Sequence, residues 1–232
     1  MKSATAFTLA VVLAGSATQA LAQQGSELDQ RIAALKQSLA ASKQALRTYQ
    51  WVETTTVSFK GEVKSTKQVS CYYGADGNLQ KLPISASPPP EKKFGIRGAI
   101  QESKTEELTD TMKQAVALVK SYVPPEPARL EISKASGKAS VEMLQPGKVV
   151  RLNFRDYQLP GDVLGITLDL TSNRLLGINV ATYLGQPSKP VTLDVRMGSL
   201  ADGTTYAENI QLVAQADSLA VNVTNSGYRK QN

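Results

Sequence analysis

The sequence contains no histidine and only one cysteine, Cys71, among its 232 residues. Without histidine, a Ser-His-Asp triad, a Cys-His pair and the usual zinc sites are all excluded. One cysteine cannot form an internal disulfide, and we interpret Cys71 as a small buried apolar residue. Phosphate-binding and dinucleotide-binding glycine motifs are also missing. We therefore expect neither a metal site nor a cofactor.

Carboxylates alone could still support a glycosidase, which needs only two acids at a set separation. Glu53 is the residue of interest, because its strand face otherwise carries large apolar side chains that could raise the pKa of a carboxylate. The apolar residues on that face are Tyr49, Trp51, Val57 and Phe59. The alternative, which we favour, is a glutamate satisfied by a lysine or by water. We predict that the protein is not an enzyme.

Positive charge is only mildly in excess of negative charge, and the net charge is +6. Basic tracts are short, and aromatic residues do not alternate with them, so nucleic-acid binding is unsupported. A mildly basic protein could contact anionic lipid or acidic glycans. Ordinary solubility explains the charge equally well.

Long apolar runs are missing too, and none approaches the roughly 20 residues that cross a bilayer. The run AFTLAVVLA at residues 6–14 follows the positive charge of Lys2 and precedes small residues at Ala20 and Ala22. This order is typical of a secretory signal peptide. We predict a signal peptide over residues 1–22 and one mature domain over residues 23–232, periplasmic or secreted. No cysteine lies directly at the cleavage site, so no lipid anchor is expected, and no later apolar run is long enough for a transmembrane anchor.

The mature chain is expected to begin at Gln23, because peptidase cleavage follows the second of the two small residues. The intact mass of the exported protein should therefore equal that of residues 23–232. A mature form that retains residues 1–22 would contradict the export prediction.

Two segments show the apolar spacing of helices. The first runs from a cap at Ser26 and Asp29 to about Thr48, and the second from a capping box at Ser103 and Glu106 to Pro124. The apolar stripe of the second consists of Leu108, Met112, Ala115, Val116, Val119 and Val123. Both stripes need an apolar surface on which to pack.

The rest of the chain alternates with a period of two, which is typical of strands. Strands are predicted over residues 49–59, 63–73 and 79–84, and then one after another from Leu130 to Val223. Short connections force antiparallel neighbours, and clean alternation gives the sheet one apolar face. We predict an α+β fold: a large antiparallel, strongly curved sheet or unclosed β-barrel of about ten strands, with two helices packed on its concave face.

Two helices are few to cover so wide an apolar face, so the remaining space would form an apolar cavity. The alternative is a fully packed core. The candidate ligand-binding residues are Trp51, Val57, Leu164, Ile166, Ile178, Val180, Leu193 and Val195.

A long irregular stretch, from about Ser85 to Gln101, is a candidate gate to that cavity, since long loops in compact domains are often functional. The candidate gate residues, which include three from the second helix, are Phe94, Ile96, Arg97, Leu108, Met112 and Val116. The nearby Lys92 and Lys93 would suit an anionic head group.

The order of elements resembles that of the periplasmic outer-membrane lipoprotein-sorting carriers of the LolA/LolB-like superfamily. The segments LRTYQW at residues 46–51 and CYYGADG at residues 71–77 are similar to the opening of secreted relatives of these carriers. The resemblance implies an unclosed barrel in which helices act as a lid over bound acyl chains. Without a lipid-anchor cysteine, it implies the soluble carrier. The family's lid-controlling arginine has no counterpart that can be aligned here.

Two functions from different classes follow from these patterns. The first is a periplasmic carrier or binding protein for a lipid, an acyl chain or a lipoprotein, held in an apolar cavity. The second is a non-catalytic structural or interaction domain of the cell envelope with a filled core. The expected partner is a lipid or acylated ligand in the first case and an envelope protein in the second.

Overall fold

The structure is a computed structural model that describes residues 36–86 and 109–231, together with residues 30, 33 and 34. The predicted signal peptide lies outside the described residues. The strands are β1 (Tyr49–Phe59), β2 (Glu62–Tyr73), β3 (Leu79–Ala86), β4 (Ala139–Gln145), β5 (Val149–Arg155), β6 (Val163–Asp169), β7 (Arg174–Tyr183), β8 (Pro190–Ser199), β9 (Thr205–Ala214) and β10 (Leu219–Lys230).

All ten strands belong to one antiparallel sheet, in the spatial order β3-β2-β1-β10-β9-β8-β7-β6-β5-β4. Strands β4 to β10 form a meander in which each strand pairs with the next, as short connections require. The last strand of the meander, β10, pairs with β1, which joins the meander to the three N-terminal strands. In the described part of the chain β3 and β4 remain separate edges, so the sheet is not a closed barrel. The predicted fold class is confirmed.

The hairpin between β1 and β2 shows how local sequence sets the register of the sheet. Lys60 and Gly61 form its two-residue turn, and both have positive φ angles, of 52° and 80°. Such turns match the right-handed twist of the flanking strands, and glycine takes a positive φ without strain. The turn predicted at Gly61 is therefore present.

Three helices accompany the sheet: α1, described over residues 36–46, α2, over residues 109–120, and α3 (Pro127–Ala135). Leu39 of α1 packs against the core on the sheet. The Ser42 hydroxyl of α1 accepts a hydrogen bond from the Thr205 backbone N–H at 3.1 Å. Helix α2 ends before Pro124, as predicted. Within the described ranges, no helix is both long and apolar enough to cross a membrane.

Helix α3 corrects one prediction, because Leu130 and Ile132 were expected to begin a strand. Pro127 lies in the first turn of α3, where its missing N–H costs no hydrogen bond. Leu130 and Ser133, three residues apart, are the buried residues, whereas the side chain of Ile132 is 67% exposed. Two apolar residues in alternation fit a strand and a short helix equally well. The domain has three described helices instead of the predicted two.

Candidate functional site

Strand register places the apolar residues of the concave face in two rows that cross the sheet. The first row consists of Phe154, Leu164, Val180, Leu193, Leu212, Val221 and Val57, each paired with the next. The second row consists of Leu152, Ile166, Ile178, Val195, Ile210 and Val223. These rows form a continuous apolar surface from β5 to β1.

Six of the eight predicted ligand-binding residues lie together at the centre of these rows, on β6, β7 and β8. They are Leu164, Ile166, Ile178, Val180, Leu193 and Val195, and each is at most 6% exposed. Val57 continues the first row on β1 and is only partly buried. Trp51 lies further along β1, outside the rows. The central six are part of a packed core.

Helix α2 supplies the cover over that central region. Ala115 and Val119 are 0% and 8% exposed and belong to the same core cluster as the two rows. Met112 and Val116, two predicted gate residues, pack against this cluster and remain partly exposed. The expected packing of the second helix on the concave face is confirmed. The other gate residues, Phe94, Ile96, Arg97 and Leu108, lie outside the described residues, as do Lys92 and Lys93.

Exposure rises along the rows towards β9, β10 and β1. Val57, Ile210 and Val223 are only partly buried, although they continue the same rows as the central residues. We refer to these three residues as the rim strip. Ile210 and Val223 were absent from the predicted site. Strands β9 and β10 show the same alternation of apolar residues that identified Val195 on β8. Ile210 and Val223 differ from the core residues only in being partly exposed.

An aromatic cluster surrounds Trp51, near the start of β1. The Trp51 and Tyr228 rings are stacked, with centroids 5.5 Å apart and planes at 12°. Tyr73 lies 6.0 Å from Trp51, and Tyr206 lies 4.3 Å from Tyr228. The Trp51 indole N–H donates to Asn225 Oδ1 at 3.1 Å. Trp51 is therefore held rigidly by its neighbours and is partly exposed.

Glu53, the candidate acid, is held by a lysine from β3. Lys81 Nζ lies 2.7 Å from both carboxylate oxygens of Glu53. The Glu53 side chain is 19% exposed. The geometry agrees with the alternative that we favoured, a glutamate satisfied by a lysine.

Cys71 lies on β2 opposite Trp51 and is fully buried. Burial, and to a lesser degree Glu53, raise the pKa of its thiol. A buried thiol with a raised pKa is a poor nucleophile. The interpretation of Cys71 as a small core residue is supported by its position.

We expect Cys71 to react with a soluble thiol reagent at least about 100-fold more slowly in the folded protein than in urea-unfolded protein, because labelling requires local opening. Timed alkylation followed by intact-mass measurement tests this expectation. Equal rates in the two states would show that the β2 face is open to solvent.

A buried carboxylate fixes the end of α2 to the sheet. Asp162 accepts hydrogen bonds from the backbone N–H groups of Tyr157, Gln158 and Leu159, at 2.6, 3.0 and 2.7 Å. The Tyr122 hydroxyl, just beyond α2, also donates to Asp162 and lies 2.8 Å from the Thr182 hydroxyl of β7. Burial and Asp162 raise the pKa of Tyr122, so the phenol remains a donor. This network holds the cover in place over the rows.

The opposite, convex face carries an open depression of about 220 Å³. Its lining mixes polar and apolar residues: Arg151, Asn153, Asn179, Asp194 and Thr192 with Val163, Gly165, Val180 and Ala181. Asn179 donates a hydrogen bond to Asp194 across this surface. Charged and amide side chains therefore interrupt the apolar residues of this depression, whereas the two rows on the concave face are apolar throughout, so the concave face is the candidate for an apolar ligand.

Neither a protein-family profile nor a curated protein matches the sequence. Among solved structures, the chain is similar to a LolA superfamily protein of Nitrosomonas europaea at 8% identity, with 85% of this chain and 93% of that chain covered and a TM-score of 0.36. It is also similar to a Vibrio parahaemolyticus domain described as an outer membrane lipoprotein-sorting protein, at 12% identity, with 84% and 91% covered and a TM-score of 0.37.

A DUF1329 family protein of Desulfovibrio piger is similar at 9% identity, with 85% and 93% covered and a TM-score of 0.36.

Proposed function

We propose that this protein is a carrier or binding protein of the bacterial envelope that holds a lipid, an acyl chain or the acyl part of a lipoprotein against the rim strip. The observation that carries the proposal is the exposure gradient along the two apolar rows. Their central residues are fully packed beneath α2, whereas Val57, Ile210 and Val223 continue the same apolar surface with incomplete cover.

An acyl chain suits this surface on energetic grounds. Each methylene removed from water contributes about 0.8 kcal/mol, so a long chain can bind without any polar contact. The rim strip crosses β1, β10 and β9, which at the usual strand spacing corresponds to roughly 10 Å. Trp51 and its aromatic neighbours, further along β1, offer additional apolar contact for a longer chain.

The periplasm or the extracellular space is the proposed location, because residues 1–22 have the pattern of a cleavable signal peptide. A carrier in an aqueous compartment must shield its cargo from water. An unclosed sheet partly covered by helices provides such a shelter while leaving a side open for entry.

A second candidate function is a non-catalytic structural or interaction domain of the envelope. It is favoured by the burial of Leu164, Ile166 and their neighbours, which form a filled core beneath α2. The two candidates differ in what occupies the rim strip: an acyl chain in the first, and only solvent or a partner protein in the second.

Titration with a fluorescent fatty-acyl probe tests the proposal. We expect saturable binding at a stoichiometry of one, with a gain in fluorescence as the probe leaves water, and displacement by unlabelled fatty acid. A water-soluble dye without the acyl chain is the control and should not bind. No saturable binding at micromolar protein would favour the structural domain.

A further inference from the structure

The outer edge of β4 is an open strand edge with little protection. In the part of the chain that the structure describes, β4 is the last strand of the sheet and pairs only with β5. From Ala139 to Met143 its pairing with β5 is regular, and its register shifts only between Met143 and Gln145. Free edges normally carry lysine, proline or a bulge that discourages pairing with another chain. The opposite edge strand, β3, contains Lys81 and Pro83, whereas β4 contains neither residue type.

The side chains of β4 also lack cover. Val141 and Met143 pair with Leu152 and Val150, so they share the concave face with core residues that are 2% and 3% exposed. Val141 and Met143 are themselves 55% and 54% exposed. The apolar surface of the concave face therefore extends onto the edge strand, and an added eleventh strand would both pair with the β4 backbone and cover these two side chains.

Charge favours a particular kind of added strand. The β4–β5 hairpin contains Lys148, Arg151 and Arg155 but only one acid, Glu142. Glu142 is already engaged, since its Oε2 accepts from Asn153 and lies 3.9 Å from Arg151. Lys148 follows the end of β4. Arg155 lies beside its start, next to the ion pair of Lys138 and Asp156, so each end of the open edge has a net positive charge.

A second copy of this chain is a poor occupant of the same edge. Antiparallel pairing of two copies through β4 would bring Lys148 of one copy towards Arg155 of the other, and like charges facing each other across strands are destabilising. A segment with acidic ends would instead find opposite charges at both ends.

We propose that β4 is a docking site for an extended segment of another protein, in which alternating apolar residues are flanked on both sides by acidic residues. The segment adds as an eleventh strand, as in other cases of strand addition to a sheet edge. Its apolar residues cover Val141 and Met143, and its acidic ends lie near Lys148 and Arg155.

A synthetic nine-residue peptide, with alternating valine and threonine between pairs of glutamates, is the probe. We expect it to bind the full-length mature protein at least tenfold more tightly than a peptide with lysines in place of the glutamates. A version that is N-methylated at alternate residues should also bind at least tenfold more weakly, because it lacks the donors for strand pairing. Equal binding of the three peptides would overturn the proposal.

Val141→Asp should weaken binding of the glutamate peptide at least tenfold, with circular dichroism unchanged. Leu82→Asp is the matched control, because Leu82 is 54% exposed on the opposite edge strand, and it should leave binding unchanged. Equal losses in both variants would overturn the proposal. So would a wild-type dimer, seen by sedimentation, that Val141→Asp converts to monomer, since a second copy would then cover the edge.

Discussion

Asp162→Ala is expected to lower the free energy of unfolding by about 3 to 5 kcal/mol, because each buried donor left without an acceptor costs about 1 to 3 kcal/mol. Asp162 is 1% exposed and is the acceptor for three backbone N–H groups and the Tyr122 hydroxyl. Its removal would also release the end of α2 from the loop between β5 and β6. Urea unfolding followed by circular dichroism measures the loss.

Asp156→Ala is the matched control, since Asp156 belongs to the same loop. Its carboxylate accepts from the Gly161 backbone N–H and lies 3.2 Å from Lys138 Nζ, but its side chain is 37% exposed. We expect a clearly smaller loss than for Asp162→Ala, because water can replace these exposed contacts. If both variants lose the same stability, the buried network does not hold α2 in place.

Tyr122→Phe, which removes only the hydroxyl from this network, should cost about 1 kcal/mol. Burial and Asp162 raise the pKa of Tyr122 above the value of about 10 that tyrosine has in an unfolded chain. The stabilisation that its hydroxyl gives the folded protein is therefore complete below about pH 10. It is lost as the pH rises from there towards the raised pKa. The difference in stability between wild type and Tyr122→Phe should shrink over that alkaline range. A difference that stays constant across it would contradict the assignment of the hydroxyl as a donor.

Val223→Gln is expected to weaken binding of the fluorescent fatty-acyl probe at least about tenfold, since a polar amide in the rim strip opposes transfer of methylenes out of water. Val223 is partly buried, so the variant should still fold, with an unchanged circular dichroism spectrum. A tenfold loss corresponds to about 1.4 kcal/mol of binding free energy. Probe titration of the folded variant gives the value.

Val63→Gln serves as the control, because Val63 is 62% exposed on β2 and lies outside the rim strip. It should bind the probe like wild type. If Val223→Gln also binds like wild type, an acyl chain does not contact the rim strip. Ile178 and Leu193 are unsuitable for this test, because both are 4% exposed in the packed core and a polar residue there would disturb folding.

The strands were predictable because a sheet with one buried face needs an apolar residue at every second position, and this alternation is visible in a short stretch of sequence. Residues such as Ile166, Ile178 and Val195 lie on the predicted face, and short connections set their antiparallel order. Helix α3 was not predictable, because Leu130 and Ile132 alternate like strand residues over too short a run to show a helical period.

The candidate site was predictable only in part. Alternation identifies which residues face the concave side, but the depth of cover depends on where α2 lies across the sheet. Sequence therefore could not separate Leu164, which is fully buried, from Val57 in the same row, which is partly exposed. The hydrogen bonds of Asp162 could not be predicted from sequence either, because Tyr122 and Asp162 are 40 residues apart in the chain.

Open strand edges are another feature that sequence alone does not reveal. Val141 and Met143 have the alternation of any core strand, and their exposure follows only from the position of β4 at the end of the sheet. Lys148 and Arg155 are near each other in sequence, but only the pairing of β4 with β5 shows that they lie near opposite ends of β4.

Mass spectrometry of the exported protein tests the central claim most directly, because it identifies what the concave face holds when the protein is isolated from the cell. The protein should be purified without detergent, extracted with organic solvent and compared with the Val223→Gln variant prepared in the same way. We expect lipid or fatty acid at close to one molecule per wild-type chain, and clearly less in the variant. Wild-type protein that carries no lipid, and that also fails to bind the acyl probe, would contradict the account and leave a structural domain with a filled core.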